Sequence, residues 1–511
     1  RNLSNHHNLP NMQAYCLPFL LVCLLCTPLS SVLLWGQNTS PQGLDPNKHI
    51  TQYVHESWQI REGLPQNSVQ SITQTSDGYL WFTTQEGLVR FDGLRFTVYN
   101  KKNSALSENY CNSLVTDKSG AIWVATQTHG IVRLQNGVFT TFTTRHGLSS
   151  NFTPENGRAL AVGADNALWI ATLGGGVNRL KDGRITVYSM QQGLSNDNVH
   201  TLFFSNDSTL WIGTENGLNV LNTKTNTIRQ VVNPALNSSK RLTNNVIQSI
   251  ITDKEGNLWI GTINGLQRLK DGIWTTYTTK NGLPGNHIRA LYCDSKGTLW
   301  IGTLGAGMCR FSKGVFSSFS LQDGLTHPDV FDMYEDVEGS LYIGTGGGGL
   351  NRLRNGSVTV YSRRLGLSDP WSIMEDNTGN MWFSMFANGV SVVNNKTNDV
   401  QHFSTANGLP SNNAHGMMQD SDGSIWLGTR DKGMCHVVNG KIVKSYGIKD
   451  GLPNERVRVF LRDRKGRLWI GTDKGASCFA NGVFTNYGKA EGLADGRTPV
   501  LHEDSQGRLW V

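Results

Sequence analysis

A five-residue segment that recurs along the chain constrains its fold more than any other feature. Leu-Trp-Ile-Gly-Thr stands at positions 210–214, 258–262, 299–303 and 468–472, and looser copies surround other tryptophans and one tyrosine. These anchor residues follow one another at intervals of 40 to 48 residues: Trp81, Trp123, Trp169, Trp211, Trp259, Trp300, Tyr342, Trp382, Trp426 and Trp469. A period near 40 with short apolar runs is typical of repeat architectures. The chain is therefore expected to be an array of one repeated supersecondary unit.

The repeat at 286–319 indicates what that unit is. Four short segments with apolar residues at strand spacing are separated by glycine-containing turns: 287–293, 298–303, 308–311 and 315–319. In the first turn, Asp294 can accept hydrogen bonds from the backbone ahead and Gly297 can adopt a positive φ. Four strands in about 40 residues make one blade of a β-propeller. The sequence therefore predicts an all-β fold of β-propeller repeats, each a four-stranded blade.

The ten anchor residues are predicted to be structural. A single blade leaves both faces of its sheet open, so its large apolar residues can be buried only by neighbouring blades. Burial of a tryptophan side chain contributes a few kcal/mol at about 25 cal/mol per Å². We therefore expect the anchors to pack between blades rather than to contact a ligand.

The number of anchors is too large for one ring. Because propellers close at about four to eight blades, we predict a complete seven-bladed propeller at 51–361 and the start of a second, incomplete one at 362–511. The segment Tyr53–Trp58 precedes the first blade and has the pattern of a single strand. We expect it to complete the sheet of a later blade, because that would protect an open sheet edge.

The first 36 residues differ from the repeats. The chain begins at Arg1, Met12 is a candidate start that would place residues 1–11 upstream of it, and an apolar run covers residues 14–26. This pattern predicts a signal peptide or an N-terminal membrane segment over 1–36. Since the last residues also stop inside a repeat, we expect the chain to be part of a longer protein. Five cysteines follow this segment, and an odd number argues against a complete disulfide framework.

Composition excludes several functional classes. The net charge is +7, with 46 basic and 39 acidic residues and no basic run, so nucleic acid is not an expected partner. No His/Cys cluster has zinc spacing, and no nucleophile-base pair or phosphate-binding loop stands apart from the repeat. We therefore expect no cofactor, no metal site and no catalytic residue in this chain.

The repeat resembles the two-component regulator propeller repeat. The resemblance is carried by Gly-Leu-Pro-Gly-Asn at 282–286, the Asp294 turn, Leu-Trp-Ile-Gly-Thr at 299–303 and Gly-Met-Cys-Arg at 307–310. It implies the extracytoplasmic sensor of a membrane receptor. In that family two seven-bladed propellers are commonly followed by a small β-sandwich, a transmembrane helix and a cytoplasmic output module. That module is usually a histidine kinase, often hybrid, and sometimes a diguanylate cyclase.

Candidate ligand-binding residues lie in the loops expected at one end of the blades. In a propeller, the connection into the innermost strand and the loop after the second strand share one face, and variable polar loops on a rigid scaffold often bind ligands. The predicted ligand-binding residues from the first set of loops are His200, Asn286, His287, Asn413, His415 and Arg456. The asparagines of the Gly-Leu-x-x-Asn segment are also typical turn residues.

The sequence thus favours a periplasmic ligand-sensing region of a membrane-bound two-component receptor. We expect a small-molecule or oligosaccharide ligand, a homodimer formed through the full-length receptor, and membrane attachment through the N-terminal segment or a later helix. One alternative is a secreted binding or scaffold propeller without a kinase. The other is a propeller hydrolase or lyase, since residues 75–81 resemble the Asp-box of sialidase propellers.

Overall fold

The structure is a computed structural model that describes residues 43–155, 158–231, 246–356, 370–394, 399–493 and 496–511, together with Leu367 and Thr397. All of these residues belong to one compact unit, Pro41–Val511. The predicted leader at 1–36 and the predicted boundary after residue 361 both lie outside the described residues. The two propeller ranges therefore stay predictions.

The described residues form ten four-stranded antiparallel sheets and one two-stranded sheet, with no α-helix among them. The first strand along the chain is β1 (Val54–Trp58). Six sheets of consecutive strands follow: β2 (Val69–Gln74), β3 (Leu80–Thr84), β4 (Gly87–Phe91), β5 (Phe96–Tyr99); β6 (Cys111–Thr116), β7 (Ile122–Thr126), β8 (Ile131–Gln135), β9 (Val138–Phe142); β10 (Leu160–Val162), β11 (Leu168–Thr172), β12 (Gly176–Lys181), β13 (Arg184–Tyr188); β14 (Val199–Asn206), β15 (Thr209–Thr214), β16 (Gly217–Asn222), β17 (Thr227–Val231); β18 (Ile247–Thr252), β19 (Leu258–Thr262), β20 (Gly265–Lys270), β21 (Ile273–Tyr277); and β22 (Ile288–Cys293), β23 (Leu299–Thr303), β24 (Met308–Ser312), β25 (Val315–Phe319).

The seventh sheet consists of β26 (Val330–Glu335), β27 (Leu341–Thr345), β28 (Leu350–Arg354) and β1. The later sheets are β29 (Pro370–Glu375), β30 (Met381–Met385), β31 (Gly389–Val393), β32 (Val400–Phe403); β33 (Ala414–Gln419), β34 (Ile425–Thr429), β35 (Met434–Val438), β36 (Lys441–Tyr446); β37 (Val457–Arg462), β38 (Leu468–Thr472), β39 (Gly475–Ala480), β40 (Val483–Tyr487); and the pair β41 (His502–Glu503), β42 (Leu509–Trp510). Short 3-10 turns stand at Ile50–Gln52, Ile60–Glu62, Thr144–His146, Met190–Gln192, Thr279–Asn281, Leu321–Asp323, Thr405–Asn407, Ile448–Asp450 and Lys489–Glu491.

The innermost strands of the first seven sheets are β2, β6, β10, β14, β18, β22 and β26. These strands contact one another in the order β2, β6, β10, β14, β18, β22, β26, and β26 contacts β2 again. The contacts therefore close a cycle of seven sheets around a central axis. Among the later sheets, β29 contacts β33 and β33 contacts β37. The prediction of an all-β propeller of four-stranded blades is confirmed.

The cycle is closed by the segment that was expected to complete a later sheet. β1 pairs antiparallel with β28, from Val54 opposite Arg354 to Trp58 opposite Leu350. Without β1, β28 would present an unpaired strand edge, which is a template for wrong pairing. The pairing joins the N-terminal part of the described chain to the seventh sheet. The cycle is therefore held by this strand pairing as well as by contacts between neighbouring inner strands.

The anchor residues pack against the sheet that follows their own. Trp259 clusters with Ile288 and Leu291 of the next sheet, and Tyr342 clusters with Val69 and Ile72 across the closure. Trp169, Trp259 and Trp300 are among the largest fully buried side chains, whereas Trp211 is only partly buried. Contacts of this kind bury the sheet faces that a single blade would leave open.

The five cysteines after the N-terminal segment are free thiols, and all but Cys293 are buried. In the described parts of the chain, no helix is long and apolar enough to cross a membrane.

Candidate ligand-binding face

Two sets of loops meet at one end of the sheets, as the sequence predicted. In several repeats the segment before the inner strand is tied by a backbone hydrogen bond to the loop after the second strand. Glu215 donates to Asn198 (2.9 Å), Leu304 to His287 (3.0 Å) and Arg430 to Asn413 (2.9 Å). The rigid strands therefore present both sets of loops on the same face.

Six of the seven inner strands of the first cycle also carry an irregularity near their start. In β22, for example, Ile288 lies opposite Thr303 and Ala290 opposite Gly302, so Arg289 is skipped in the pairing. Bulges of this kind redirect a side chain and are frequent next to functional sites. The skipped residues, called here the bulge residues, are Gln70, Asn112, His200, Gln248, Arg289 and Phe331. Arg158 occupies the same place before β10, because it stands two residues before Leu160 as His200 stands two before Leu202.

The six predicted ligand-binding residues occupy three different positions in the repeat. Asn286 lies in the turn, His287, Asn413 and Arg456 directly precede inner strands, and His200 and His415 are second residues of inner strands. His200, Asn286 and His287 belong to the seven-sheet cycle, and the other three belong to the later sheets. The six residues are therefore divided between two groups of sheets.

Asn286 has a structural contact of its own. Its side-chain oxygen accepts a hydrogen bond from the backbone N–H of Thr279 at 2.9 Å, across the 3-10 turn. The same bond is made in other repeats by Asn67, Asn151, Asp197, Asn412 and Glu455. The true counterpart of Asn286 in the later repeat is thus Asn412 and not Asn413.

The residues that precede the inner strands are held by neighbours on the face. Asn413 donates to Asp431 at 3.0 Å, and Arg456 pairs with Asp473 at 3.1 Å. Burial lowers the pKa of His287, the Arg289 guanidinium lowers it further, and Asp329 opposes both. The ring of His287 is therefore neutral at pH 7.

The two histidines of the inner strands are also neutral at pH 7. Burial lowers the pKa of His200, with Glu215 opposing this shift. Burial likewise lowers the pKa of His415, whose Nδ1 lies 3.3 Å from the backbone oxygen of Arg458. The His415 ring lies 5.5 Å from that of Trp371. These rings can donate or accept hydrogen bonds without carrying charge.

The sequence reasoning did not single out Arg158, Arg289 or Asp332. Asp332 is buried where the other inner strands of the cycle carry serine, threonine or alanine, and its carboxylate accepts from the Ile72 N–H at 3.0 Å. Arg158 lies 3.8 Å from it, and burial raises the pKa of Asp332 despite that cation. Aligning the repeats by inner strand would have revealed these charged residues at otherwise neutral positions.

Two further polar side chains come before inner strands: Tyr110 directly precedes β6, and Glu155 stands five residues before β10. Glu155 accepts from Gln127 at 2.8 Å, and the Tyr110 hydroxyl accepts from Gln85 at 3.2 Å. The described residues include no group of three or more histidine, cysteine, aspartate or glutamate side chains placed to hold a metal ion. The arrangement offers hydrogen bonds and charges for binding a ligand.

Comparisons with known proteins agree with the fold. The two component regulator propeller family matches residues 63–86, 193–216, 241–264, 282–305, 408–431 and 451–474. The extracellular domain of a candidate hybrid two-component system of B. thetaiotaomicron has a TM-score of 0.56 and 23% identity, covering 90% of this chain and 76% of that one. No curated protein matches the chain.

A second extracellular domain from B. thetaiotaomicron has the same architecture. It has a TM-score of 0.50 and 17% identity, covering 90% of this chain and 70% of that one, and it is described both as part of a one-component and of a hybrid two-component system. At these identities the likeness concerns the fold alone. The repeats themselves are the stronger finding, since this chain carries two-component regulator propeller repeats.

Proposed function

We propose that this chain is the extracytoplasmic ligand-sensing region of a membrane-bound signalling receptor and that it binds a glycan-derived ligand. The chain itself acts by binding. A cytoplasmic output module elsewhere in the receptor, a histidine kinase or a diguanylate cyclase, carries the signal onward. The repeat family and the extracellular domains with the same fold support this proposal.

The observation that carries the proposal is the convergence of polar side chains from different sheets on one face. Tyr110, Asn198, His287 and Asp329 directly precede inner strands of the cycle, and Glu155 stands five residues before β10. The inner strands surround one axis, so side chains that are distant in sequence can contact the same ligand. Saccharides present many hydroxyl groups, and such a set of donors and acceptors can satisfy them.

Signalling requires that the ligand prefer one state of the receptor. A ligand shifts an equilibrium only through its different affinity for the two states. In a homodimeric receptor, binding on the loop face would favour one arrangement of the two copies and so change the activity of the output module.

Calorimetric titration of the purified chain with a panel of oligosaccharides tests this function. A change on the loop face, His287→Ala, should weaken binding, whereas Lys296→Ala should leave it unchanged. Lys296 is exposed in the turn at the opposite end of the same strands. The same samples are assayed for cleavage of the oligosaccharide. Turnover that is lost in Asp329→Asn would replace the sensor proposal with an enzyme.

A further inference from the structure

Arg289 is a partly buried arginine whose side chain has no polar partner among the described residues. It is the bulge residue of β22, and its guanidinium lies 5.1 Å from the ring centre of Phe331, the bulge residue of β26. The buried Nε has no hydrogen-bond partner, and no hydrogen bond or ion pair of its side chain is found among the described residues. A buried charged donor that stays unpaired is costly, so an uncompensated one points to a missing partner.

Other arginines in the structure differ from Arg289 in their partners or in their place in the repeat. Arg458, at the corresponding place in β37, forms an ion pair with Asp473. Arg133 and Arg268 also have an unpartnered Nε, but they stack on the anchors Trp123 and Trp259 as part of an arginine-on-aromatic pair that recurs in third strands. Arg289 also faces an aromatic ring, that of Phe331, but it stands on an inner strand, whereas those two pairs lie on third strands.

Charges from several sheets act on Arg289, which places its guanidinium near the axis of the cycle. Burial lowers its pKa to about 10, while Glu155, Tyr110, Asp329 and Asp332 oppose the shift. These groups come from other parts of the ring, so a side chain within reach of all of them points inward. With a pKa near 10 the side chain keeps its charge at pH 7.

The nearby carboxylates are already engaged. Glu155 accepts from Gln127, Asp329 accepts from the Gly305 N–H at 2.6 Å, and Asp332 accepts from the Ile72 N–H. Arg158 also has open donors, since its 3.8 Å approach to Asp332 is longer than a hydrogen bond. The cycle thus holds two guanidinium groups whose donors are available to a ligand.

We propose that Arg289, held against Phe331 and assisted by Arg158, is an anion-recognition site on the axis of the seven-sheet cycle, and that the ligand carries a carboxylate or a phosphate-type oxyanion. A guanidinium stacked by its face leaves its edge donors for two parallel hydrogen bonds to such a group. The inference rests on the proposed ligand-binding function and adds the chemical class of the ligand.

Titration calorimetry with D-glucuronate, inorganic phosphate and neutral D-glucose tests the site. We expect at least one of the two anions to bind more tightly than glucose, and its affinity to fall as salt rises. Binding of glucuronate alone assigns a carboxylate, and binding of phosphate alone assigns a phosphate-type group. Equal binding of anions and glucose, or no binding of either anion, would overturn the inference.

Arg289→Gln should weaken anion binding by about 10- to 100-fold, because a charge-assisted hydrogen-bond pair is lost. Arg289→Lys should retain part of the affinity, since it keeps the charge but not the planar fork. Arg184→Gln, an exposed arginine on the outermost strand of its sheet, is the matched control and should bind like the parent. Unchanged anion binding in Arg289→Gln would refute the site.

Thermal unfolding of the same variants separates binding from folding. Arg289→Gln should unfold at about the same temperature as the parent, because the change breaks no hydrogen bond or ion pair found among the described residues. If Arg289→Gln unfolds at a markedly lower temperature and Arg289→Lys binds the anion with the affinity of the parent, Arg289 is structural and the site is refuted. If neutral oligosaccharides bind the loop face and neither anion binds, the anion site is refuted and the sensor proposal is left intact.

Discussion

The anchor tryptophans are fixed by hydrogen bonds as well as by packing. In seven repeats the indole N–H donates to the aspartate six residues earlier, as Trp300 does to Asp294 at 2.8 Å. The same carboxylate accepts the turn N–H groups of Lys296 and Thr298. One aspartate therefore sets both the turn and the orientation of the indole. The sequence indicated the turn but not the bond to the indole.

Trp300→Ala is expected to destabilise the protein by about 3–5 kcal/mol, because it opens a cavity in a close-packed cluster. Trp300 is 0% exposed and packs with Val330, Met333 and Ile343 of the next sheet. Chemical denaturation measures the change in the free energy of unfolding.

Trp371→Ala is the matched control for that measurement. Trp371 is 50% exposed, so its removal should cost less than about 1 kcal/mol. A loss below about 1 kcal/mol for Trp300→Ala as well would contradict the packing account.

Asn286 and Arg289 show how much of the site could be predicted at this scale. The loop face follows from the repeat period, because every repeat places the same segment at the same end of its sheet. Whether a polar residue there is committed to a turn depends on a contact seven residues away, as for Asn286 and Thr279. Arg289 stood out only after the register showed a bulge, and hydrophobic periodicity does not reveal which residue a strand skips.

At the scale of elements, β1 determines whether the seven-sheet cycle is closed. Its pairing with β28 is supported by side chains, since Glu56 forms ion pairs with Arg352 and Arg354. Trp58 stacks on Tyr342 at 6.4 Å and contacts the edge of Phe91 at 5.2 Å. β1 therefore joins the seventh sheet to the first. The sequence predicted this role from an unpaired strand ahead of the first repeat.

A chain that begins at Gln59 should lose protection at β28. Without β1, the backbone amides of Leu350–Arg354 that face it are exposed to water, and their hydrogen exchange should become faster than in a chain that begins at Gly43. The comparison is made by hydrogen–deuterium exchange with mass spectrometry.

The internal reference for that comparison is β4, whose outer neighbour β5 is retained. Its peptides should exchange at the same rate in both chains. Equal exchange of β28 in the two chains would show that β1 does not stabilise the seventh sheet.

At the scale of the whole molecule, the repeated turns link stability to pH, but not every repeat contributes in the same direction. In the sheet of Trp382, burial alone would raise the pKa of Asp376. Hydrogen bonds from Thr378, Trp382 and Asn380 outweigh burial and bring the pKa down to about 2. In the sheet of Tyr342 the aspartate has no indole donor, and burial raises the pKa of Asp336 although the Ser340 and Glu338 N–H groups oppose it. The replacement of one tryptophan by tyrosine thus accompanies a change in the sign of the shift.

The two aspartates should therefore respond oppositely to acid. A carboxyl whose pKa is lowered on folding stabilises the protein above its unfolded pKa of about 4, and this contribution is lost as the pH falls towards 2. A carboxyl whose pKa is raised on folding binds its proton more tightly in the folded state, so its contribution grows as the pH falls through the folded pKa.

We expect the stability difference between the parent and Asp376→Asn to shrink between pH 6 and pH 3. Over the same fall in pH, the parent should gain stability relative to Asp336→Asn. Urea denaturation at several pH values gives both differences, with Asp182→Asn, an exposed aspartate in a strand-connecting turn, as the control. Parallel pH dependence of Asp376→Asn and Asp336→Asn would mean that the indole bond does not set the pKa of the turn aspartate.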